Sequence, residues 1–521
     1  MRRHFAAVGM LLTLSLTTLA CKKPQGGGHA IGGVGKAVAT GAATDLRVSP
    51  DGKHAAFLID AEKPRLEGVP PQMLVGELHT AALETGTSKK AGNVITNVPG
   101  GYLFSSDSRW LFFLAGYNAA EQSGELNLLD LSDPATDPRK LGSNVTYMLA
   151  SPDGKWLAFV EEGVLKLSAL EGGAVKEIAG EVSTAQFSPD GKTLYFKRRL
   201  SAAGGLFFVS LDKPDAPKRL ADQVGDYSIS PDSKYVAFAQ RSDVVRNTYD
   251  LFHASRPEMK PVKLAGGTAL FAFSPDGQWL ARTEGGKPEL IGDLVIGSAS
   301  GGPGRKLAER VQEFSFAPDS TAIGYLEHYD IAARAGLVGV ATLPDGKPKR
   351  VGERSPNFTW GADGRYLAFL SRFLKPIYSV DLMLYPVGAE EAFKVHAGVF
   401  GYGFGPKNEY LLYRSGCIRD GRACDLYELD LSKPKEPAKK AAEGIYSFRP
   451  AEDGARVLLS YARLEKGEYY DVAVLNRKTQ ERKTLDQWIH LPAHFLDSAG
   501  SRISYVIAHR SRAGVYIADT P

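Results

Sequence analysis

The chain has 521 residues, of which 43% are hydrophobic and 23% are charged, and its formal net charge is +4. This composition is ordinary for a globular protein. Without Arg2 and Arg3, which belong to the apolar leader described next, the charge falls to +2. Such a balance argues against a nucleic-acid partner, because nucleic-acid binding needs a markedly basic surface.

The first 20 residues differ in character from the rest of the chain. Arg2 and Arg3 give a basic start, and the apolar stretch that follows ends beside Cys21. This pattern predicts a removable export signal rather than a membrane span. Its end, TTLAC (17–21), resembles a bacterial lipoprotein signal, and the resemblance implies that Cys21 carries the lipid. A plain secreted signal with an unmodified Cys21 is the alternative.

Residues 21–34 are rich in glycine, and we predict that they form a flexible tether to the folded part of the chain, residues 35–521. Lys22 follows Cys21, which in the lipoprotein family favours the outer membrane over retention in the inner one. No other stretch is long and apolar enough to span a bilayer. The expected location is therefore the bacterial cell envelope, with a lipid anchor in the outer membrane.

From residue 48 onwards, an aromatic or apolar strand runs eleven times into a tight acidic turn and out into a second apolar strand. The period of ~40–45 residues is typical of a four-stranded propeller blade, which buries its faces by stacking on neighbouring blades. We therefore predict an all-β protein, a β-propeller of about eleven four-stranded repeats. The clearest copies are ASPDGKWLAFV (150–160), FSPDGKTLYF (187–196), ISPDSKYVAF (229–238), FSPDGQWLA (273–281) and WGADGRYLAF (360–369).

The acid of each copy is predicted to form the turn rather than to catalyse a reaction. Pro sets φ at the first corner, Asp bonds to nearby backbone N–H groups, and Gly tolerates the positive φ at the exit. These acids are Asp51, Asp107, Asp153, Asp190, Asp232, Asp276, Asp319, Asp363, Asp453 and Asp497, with Lys407 in the ninth copy.

A basic residue followed by an apolar one recurs before most turns, as in RKL (139–141), and we interpret it as the outermost strand of the preceding blade, whose charge blunts an exposed sheet edge. Residues 35–40 match this strand although no blade precedes them, and the last copy lacks an outer strand. We therefore predict that residues 35–40 complete the last blade and close the ring. Because propellers typically have ~4–8 blades, two rings are expected, and one unusually large ring is the alternative.

Two cysteines, Cys417 and Cys424, flank a short hairpin loop in the ninth repeat. In an oxidising envelope, a pair this close in sequence predicts a disulfide, with two free thiols as the alternative. A zinc site is not expected, because no further Cys and no nearby His complete a ligand set.

The loops between the second and third strands vary most among the repeats, and variable loops on a rigid scaffold are where function usually sits. Several repeats place arginine near the end of the second strand, and its guanidinium fork suits carboxylate or phosphate groups. We expect these arginines to contact a partner, although arginine also simply solvates hairpin ends. The candidates are Arg199, Arg241, Arg372, Arg463 and Arg510.

The repeat, with its SPDGK turn and apolar strand, resembles the TolB-type propeller of bacterial envelope proteins and the propeller domain of prolyl oligopeptidase-like enzymes. The resemblance covers residues 35–521 and implies a fold rather than an activity. We find no Gly-x-Ser-x-Gly elbow of the peptidases' hydrolase domain, since GSASG (297–301) has the wrong spacing. With no metal-binding or phosphate-binding motif, the sequence predicts no catalytic residue, cofactor or metal.

The sequence therefore favours a non-enzymatic, lipid-anchored propeller scaffold that binds an envelope protein or a cell-wall component through one ring face. The alternative is a propeller enzyme or small-ligand binder that uses a central channel, as some lactonases and hydrolases do.

Overall fold

The computed structural model describes residues 33–62, 74–95, 101–118, 121–133, 135–199, 204–243, 248–285, 291–371, 380–418, 421–463, 469–509 and 511–521. In these ranges the chain forms 42 β-strands and no helix, so no described helix could cross a membrane. The predicted lipid site, Cys21, lies outside the described residues. The all-β prediction is confirmed.

The described strands pair into four-stranded antiparallel units that follow one another along the chain. Strand β1 is Lys36–Thr40. Unit 1 contains β2 (Ala43–Val48), β3 (His54–Glu62), β4 (Val75–Ala82) and β5 (Thr87–Ile95); unit 2 contains β6 (Tyr102–Phe104), β7 (Trp110–Asn118), β8 (Ser123–Asp130) and the start of β9 (Arg139–Ala150); unit 3 contains the end of β9, β10 (Trp156–Glu161), β11 (Val164–Ala169) and β12 (Lys176–Ala179); unit 4 contains β13 (Val182–Phe187), β14 (Thr193–Arg198), β15 (Gly205–Ser210) and β16 (Lys218–Ala221).

The next units repeat this order. Unit 5 contains β17 (Val224–Ile229), β18 (Tyr235–Asp243), β19 (Thr248–Ser255) and β20 (Val262–Ala265); unit 6 contains β21 (Phe271–Phe273), β22 (Trp279–Glu284), β23 (Gly292–Ser298) and β24 (Arg305–Val311); unit 7 contains β25 (Glu313–Phe316), β26 (Ala322–Asp330), β27 (Ala335–Thr342) and β28 (Lys349–Ser355); unit 8 contains β29 (Phe358–Trp360), β30 (Tyr366–Ser371), β31 (Asp381–Pro386) and β32 (Phe393–His396).

Units 10 and 11 share a strand, as units 2 and 3 do, whereas unit 9 has four strands of its own. Unit 9 contains β33 (Val399–Phe404), β34 (Tyr410–Ile418), β35 (Ala423–Asp430) and β36 (Lys439–Ile445); unit 10 contains β37 (Ser447–Pro450), β38 (Arg456–Ala462), β39 (Tyr470–Asn476) and the start of β40 (Arg482–Phe495); unit 11 contains the end of β40, β41 (Arg502–Ile507), β42 (Gly514–Asp519) and β1. Strands β9 and β40 are thus the outermost strand of one unit and the innermost strand of the next.

The second strand of each unit is apolar because both faces of its sheet are covered. In unit 2, Leu111, Phe112, Phe113 and Leu114 are each at most 1% exposed. The buried clusters join neighbouring units, for example units 3 and 4. A continuous apolar run is the pattern expected of a strand with neighbours on both sides.

The acidic turn between the first and second strands forms by the predicted chemistry. In unit 1, Ser49 Oγ donates to Asp51 Oδ1 over 2.6 Å, and Lys53 N donates to the same oxygen over 3.0 Å. Gly52 completes the turn with φ 70°. We call this end of a unit its turn end, and the opposite end, where the second and third strands connect, its loop end.

The predicted pairing of the N-terminal strand with the last unit is confirmed. Strand β1 pairs antiparallel with β42, placing Lys36 beside Ile517 and Thr40 beside Gly514. Val38 packs in a buried cluster that also contains Phe57 of unit 1. The N-terminal strand therefore covers the edge of unit 11 and joins the last unit to the first.

Contacts between units follow chain order and return to the start. Hydrogen bonds join units 1–2 (Asp51 N to Ser108 Oγ), 2–3 (Ser106 Oγ to Pro152 O), 3–4 (Tyr147 OH to Ala185 O), 4–5 (Asp190 N to Ser233 Oγ), 6–7 (Asp276 N to Ser320 Oγ), 7–8 (Trp360 Nε1 to Ser315 O), 8–9 (Tyr402 OH to Ala368 O), 9–10 (Tyr410 OH to Gly454 O), 10–11 (Asp453 N to Ser498 O) and 11–1 (Arg502 Nη2 to Leu83 O). Units 5 and 6 meet through the apolar contacts of Ala237 and Leu280.

The loop end of unit 9 carries the predicted disulfide. Cys417 and Cys424 are joined with an S–S distance of 2.01 Å. This confirms the pairing that their proximity in sequence predicts.

Candidate functional site

At eight of the described crossovers from the outermost strand of one unit to the innermost strand of the next, one residue has a left-handed backbone. Each such residue is followed by a buried residue that starts the new sheet. These left-handed residues are Asn144, Glu181, Gln223, Gly267, Arg310, Gly398, Gly444 and Trp488. The crossovers lie at the loop ends, where the chain passes from one sheet to the next.

Trp488 is the exception in this series. Its φ is 60°, a conformation that glycine adopts freely and that is rare for a bulky L-residue. Such a conformation costs on the order of 1 kcal/mol or more, and residues held in it cluster at functional sites. The carbonyl of Trp488 accepts a bond from Ala508 N over 2.9 Å, so unit 11 fixes this backbone in place.

A second repeated feature is an ion pair between an acid near the start of the third strand and a lysine of the fourth. The lysine lies opposite the residue two positions after the acid, and the pairs measure 2.6–3.0 Å. They are Glu77–Lys90, Glu125–Lys140, Asp250–Lys263, Asp293–Lys306, Asp381–Lys394 and Asp425–Lys440.

Units 3, 4 and 7 lack this pair, and unit 10 lacks it at the same loop end that carries Trp488. Its acid is Asp471, but Thr484 stands where the lysine is expected, opposite Ala473. Asp471 instead binds Arg463, whose Nη1 donates to Oδ1 over 2.6 Å. In unit 10 the acid therefore does not bind a lysine on the fourth strand. It binds the predicted candidate Arg463 and holds this side chain at the hairpin of unit 10.

Arg463 lies over the Trp488 ring, with its guanidinium carbon 4.6 Å from the ring centroid. Tyr469 and His509 stand at 5.5 and 5.3 Å from the Trp488 centroid, at interplanar angles of 53° and 51°. His490 meets Tyr469 edge-on at 5.1 Å. These five partly exposed side chains, from units 10 and 11, are called the aromatic cluster.

A buried ion pair stabilises the crossover that carries Trp488. Arg512 donates two bonds, of 2.7 and 2.9 Å, to the carboxylate of Asp486, whose side chain has no exposed surface. Tyr505 OH adds a bond of 3.2 Å to the same carboxylate. Because Asp486 lies two residues before Trp488, the pair fixes the crossover to the hairpin of unit 11.

The described chain begins beside this ion pair. A Cβ on Gly33 would collide with the side chains of both Asp486 and Arg512, so a larger residue there would require this ion pair to shift. Val34 N donates to Leu485 O over 3.1 Å. The predicted tether therefore meets the folded part of the chain beside Leu485 and Asp486, which lie shortly before Trp488 in the sequence.

The other predicted arginines occupy different places. Arg199 is exposed, and its N–H donates to Glu181 O over 2.8 Å. Arg241 lies in the neighbouring unit and donates from Nη2 to Tyr249 OH over 3.2 Å. These two share the loop ends of units 4 and 5, away in sequence from Arg463. Arg372 and Arg510 lie outside the described residues.

Trp488, Tyr469 and His509 are not among the residues predicted from the sequence. Aligning the crossovers would have revealed Trp488, because the other described copies hold glycine or a polar residue there. The missing lysine opposite Asp471 is a second signal of the same kind.

Among the ionisable groups outside the aromatic cluster, His494 and Glu313 have pKa values shifted by burial. Burial, together with the charge of nearby Arg449, lowers the pKa of His494 to about 4. Burial raises the pKa of Glu313, on the innermost strand of unit 7, to about 7. The described residues contain no group of three or more His, Cys, Asp or Glu placed to hold a metal ion.

The antiparallel four-stranded units, stacked in chain order, define an all-β propeller. Neither a protein-family model nor a curated protein matches the chain. Among solved structures it is similar to a eukaryotic initiation factor (15% identity, 69% of this chain and 94% of that chain, TM-score 0.42). It is also similar to an oligogalacturonate lyase in complex with manganese (10%, 72% and 97%, TM-score 0.32) and to the dihydro-heme d1 dehydrogenase NirN in complex with DHE (18%, 74% and 75%, TM-score 0.34).

Proposed function

We propose that this protein is a non-enzymatic propeller scaffold of the bacterial cell envelope that binds a protein or a cell-wall component through its loop ends. The observation that carries the proposal is the aromatic cluster of units 10 and 11. There a tryptophan stands at a left-handed crossover position where the other such positions hold glycine or a polar residue, and Asp471 pairs with Arg463 at the end of the second strand rather than with a lysine on the fourth. Aromatic residues and arginine are the side chains most enriched at binding hot spots.

The proposed lipid anchor at Cys21 would hold this cluster near the membrane. Gly33, which lies beside the ion pair next to the aromatic cluster, comes twelve residues after Cys21. Fully extended, this stretch spans at most ~40 Å. The partner of a protein anchored in this way would lie within that distance of the lipid surface, and we place the anchor in the outer membrane.

We further propose that the units close as one large ring rather than as the two rings expected from usual blade numbers. Two rings would require two junctions at which consecutive units separate. Contacts between consecutive units at every junction, including unit 11 to unit 1, support the single ring.

A second candidate function, a small-ligand site in the central channel, is favoured by one observation. Glu313 lies on the innermost strand of unit 7, where desolvation raises its pKa to about 7. A carboxyl group with this pKa is suited to proton transfer. If the protein turns over a ligand and Glu313→Gln abolishes this turnover without changing the fold, the result would support the small-ligand site over the scaffold.

The scaffold is tested by site-specific crosslinking in intact cells of the native host. A photo-crosslinking residue replaces Arg463 in one variant and Glu171, at the turn end of unit 3, in the control. We expect one dominant covalent partner from position 463 and none from position 171. Equal capture from both positions would contradict a loop-end interface. Cys21→Ser is expected to release the protein from the membrane fraction.

A further inference from the structure

Unit 6 carries a charged residue at a core position of its second strand. Only 4% of the Arg282 side chain is exposed. In every other unit the equivalent residue is apolar and at most 1% exposed. In chain order, these residues are Phe57, Phe113, Phe159, Phe196, Phe238, Tyr325, Phe369, Tyr413, Leu459 and Tyr505. Because a buried ion pair often stabilises a fold no better than well-packed apolar side chains do, packing alone does not account for Arg282.

A cleft lies between units 5 and 6, on the side of Arg282. The buried apolar cluster at this junction is the smallest in the described part of the chain; its members are Ala237, Leu251, Ala265 and Leu280. The cleft has a volume of about 560 Å³, which lies within the range of small-ligand sites, ~300–1,000 Å³. Its lining includes Leu264 of unit 5 and the charged residues Arg282, Glu284, Asp293 and Lys306 of unit 6.

The Arg282 guanidinium has N–H groups in this cleft that its ion pair does not use. Nε donates to Glu284 Oε1 over 2.8 Å, and Nη2 lies 2.8 Å from the same oxygen. Among the described residues, no acceptor takes the N–H groups of Nη1. A buried donor without an acceptor is costly, and the parallel N–H groups of a guanidinium match the two oxygens of a carboxylate. Arg282 is therefore suited to bind a carboxylate ligand.

Two carboxylates stand beside Arg282 on the same face of the sheet. Glu284 lies directly opposite Asp293 in the antiparallel register of β22 and β23, and like charges in such a pair destabilise a sheet. Arg282 binds Oε1 of Glu284, and Lys306 binds Oδ2 of Asp293 over 2.8 Å, so each carboxylate keeps a second oxygen as an acceptor. The two acidic side chains are 35% and 43% exposed, so a ligand reaches them from solvent.

We propose that this cleft binds a small zwitterion, an amino acid or a short peptide, with its carboxylate on Arg282 and its ammonium group between Glu284 and Asp293. An ammonium group has three N–H donors, which suits two neighbouring carboxylates, and its charge offsets their repulsion. The inference goes beyond the proposed function, because the cleft belongs to units 5 and 6 and the proposed partner interface to units 10 and 11.

The test is calorimetric titration of the purified full-length protein with L-alanine and with L-alanyl-L-alanine. Tighter binding of the first identifies a free amino acid as the ligand class, and tighter binding of the second identifies a peptide; either result supports the zwitterion site. Forms of the tighter ligand that are N-acetylated or amidated lack one charge and should bind about tenfold more weakly or worse. Absence of heat from both zwitterions below about 10 mM, or equal binding of either blocked form, overturns the proposal.

Arg282→Phe introduces the residue that the repeat otherwise uses, so the fold should be kept, which urea unfolding checks. We expect this variant to bind the tighter zwitterion about tenfold more weakly or worse, because the ligand carboxylate loses its donors. Tyr325→Phe, at the equivalent position of unit 7, is the control and should alter the affinity less than about twofold. Unchanged affinity in Arg282→Phe overturns the proposal.

Asp293→Asn tests the ammonium position at a partly exposed residue, without a change in the core. We expect a loss of affinity of about fivefold or more, and wild-type affinity in this variant overturns the assigned geometry. Asp425→Asn removes the corresponding ion pair of unit 9, Asp425–Lys440, and should leave the affinity within about twofold of wild type. Crosslinking at position 463 involves neither unit 5 nor unit 6, so the failure of one proposal is distinguishable from the failure of the other.

Discussion

The buried pair between Arg512 and Asp486 gives a quantitative test of how the loop end of unit 11 is held. Arg512→Met keeps much of the side-chain volume but leaves a carboxylate with no exposed surface and no cation. Two charge-assisted bonds of 2.7 and 2.9 Å disappear, while Tyr505 OH and Gln487 N remain as donors. Breaking a buried pair typically costs about 3–5 kcal/mol, so we expect the free energy of unfolding to fall by about 4 kcal/mol.

The assay is a double-mutant cycle of Arg512→Met and Asp486→Asn, followed by urea unfolding monitored by tryptophan fluorescence. Because Asp486→Asn removes the uncompensated charge, the double variant should recover part of the loss, with a coupling energy of at least about 2 kcal/mol. The exposed pair Lys433–Glu436 is the reference, with an expected coupling below about 1 kcal/mol. Equal coupling energies in the two cycles would refute the reasoning.

Three further predictions concern other parts of the fold. Val38→Asp places a charge at a position that is 7% exposed in the closing strand and should lower the free energy of unfolding by more than about 2 kcal/mol in urea. Stability should fall as the pH drops from 6.5 towards 4, by at most about 3 kcal/mol, because the unfolded chain protonates His494 first. Reduction of the Cys417–Cys424 disulfide, which closes a loop with a sequence separation of 7, should cost about 2.5 kcal/mol in the same assay.

Each of these predictions has a matched control. Val34→Asp, at a position that is 50% exposed in the same segment, should change stability by less than about 0.5 kcal/mol. His494→Gln should flatten the pH dependence between 6.5 and 4, and an unchanged slope would assign it to other groups. The double variant Cys417→Ser with Cys424→Ser should be insensitive to reductant; sensitivity there would show that reductant acts elsewhere.

The repeat architecture could be predicted because each copy carries its own turn chemistry. Ser49 and Asp51 bond within one turn, and the same bond forms in units 2 to 6, so the signal is local. The closing strand, Lys36–Thr40, could also be predicted, because it resembles the outer strand of a unit and the last unit lacks one. Whether the units form one ring or two depends instead on contacts between different units. A motif that recurs in each unit does not define these contacts.

The candidate site could be predicted only in part. Arg463 stood out because arginine recurs at the ends of second strands, but that pattern equally selected Arg199 and Arg241, which lie at other loop ends. Trp488 was missed because its importance comes from a left-handed backbone, and residues as different as Asn, Glu and Gly adopt this conformation at the other crossovers. The membrane anchor, Cys21, stays a prediction.

The most direct test of a loop-end binding site at units 10 and 11 is oxidative labelling of tryptophan in intact native-host cells and in the purified protein. Trp156 and Trp279, which are partly exposed near the turn ends, serve as internal references. Partner binding predicts that Trp488 is labelled less in cells than in the purified protein, while the references are labelled equally. Equal labelling of Trp488 in both samples would contradict the account.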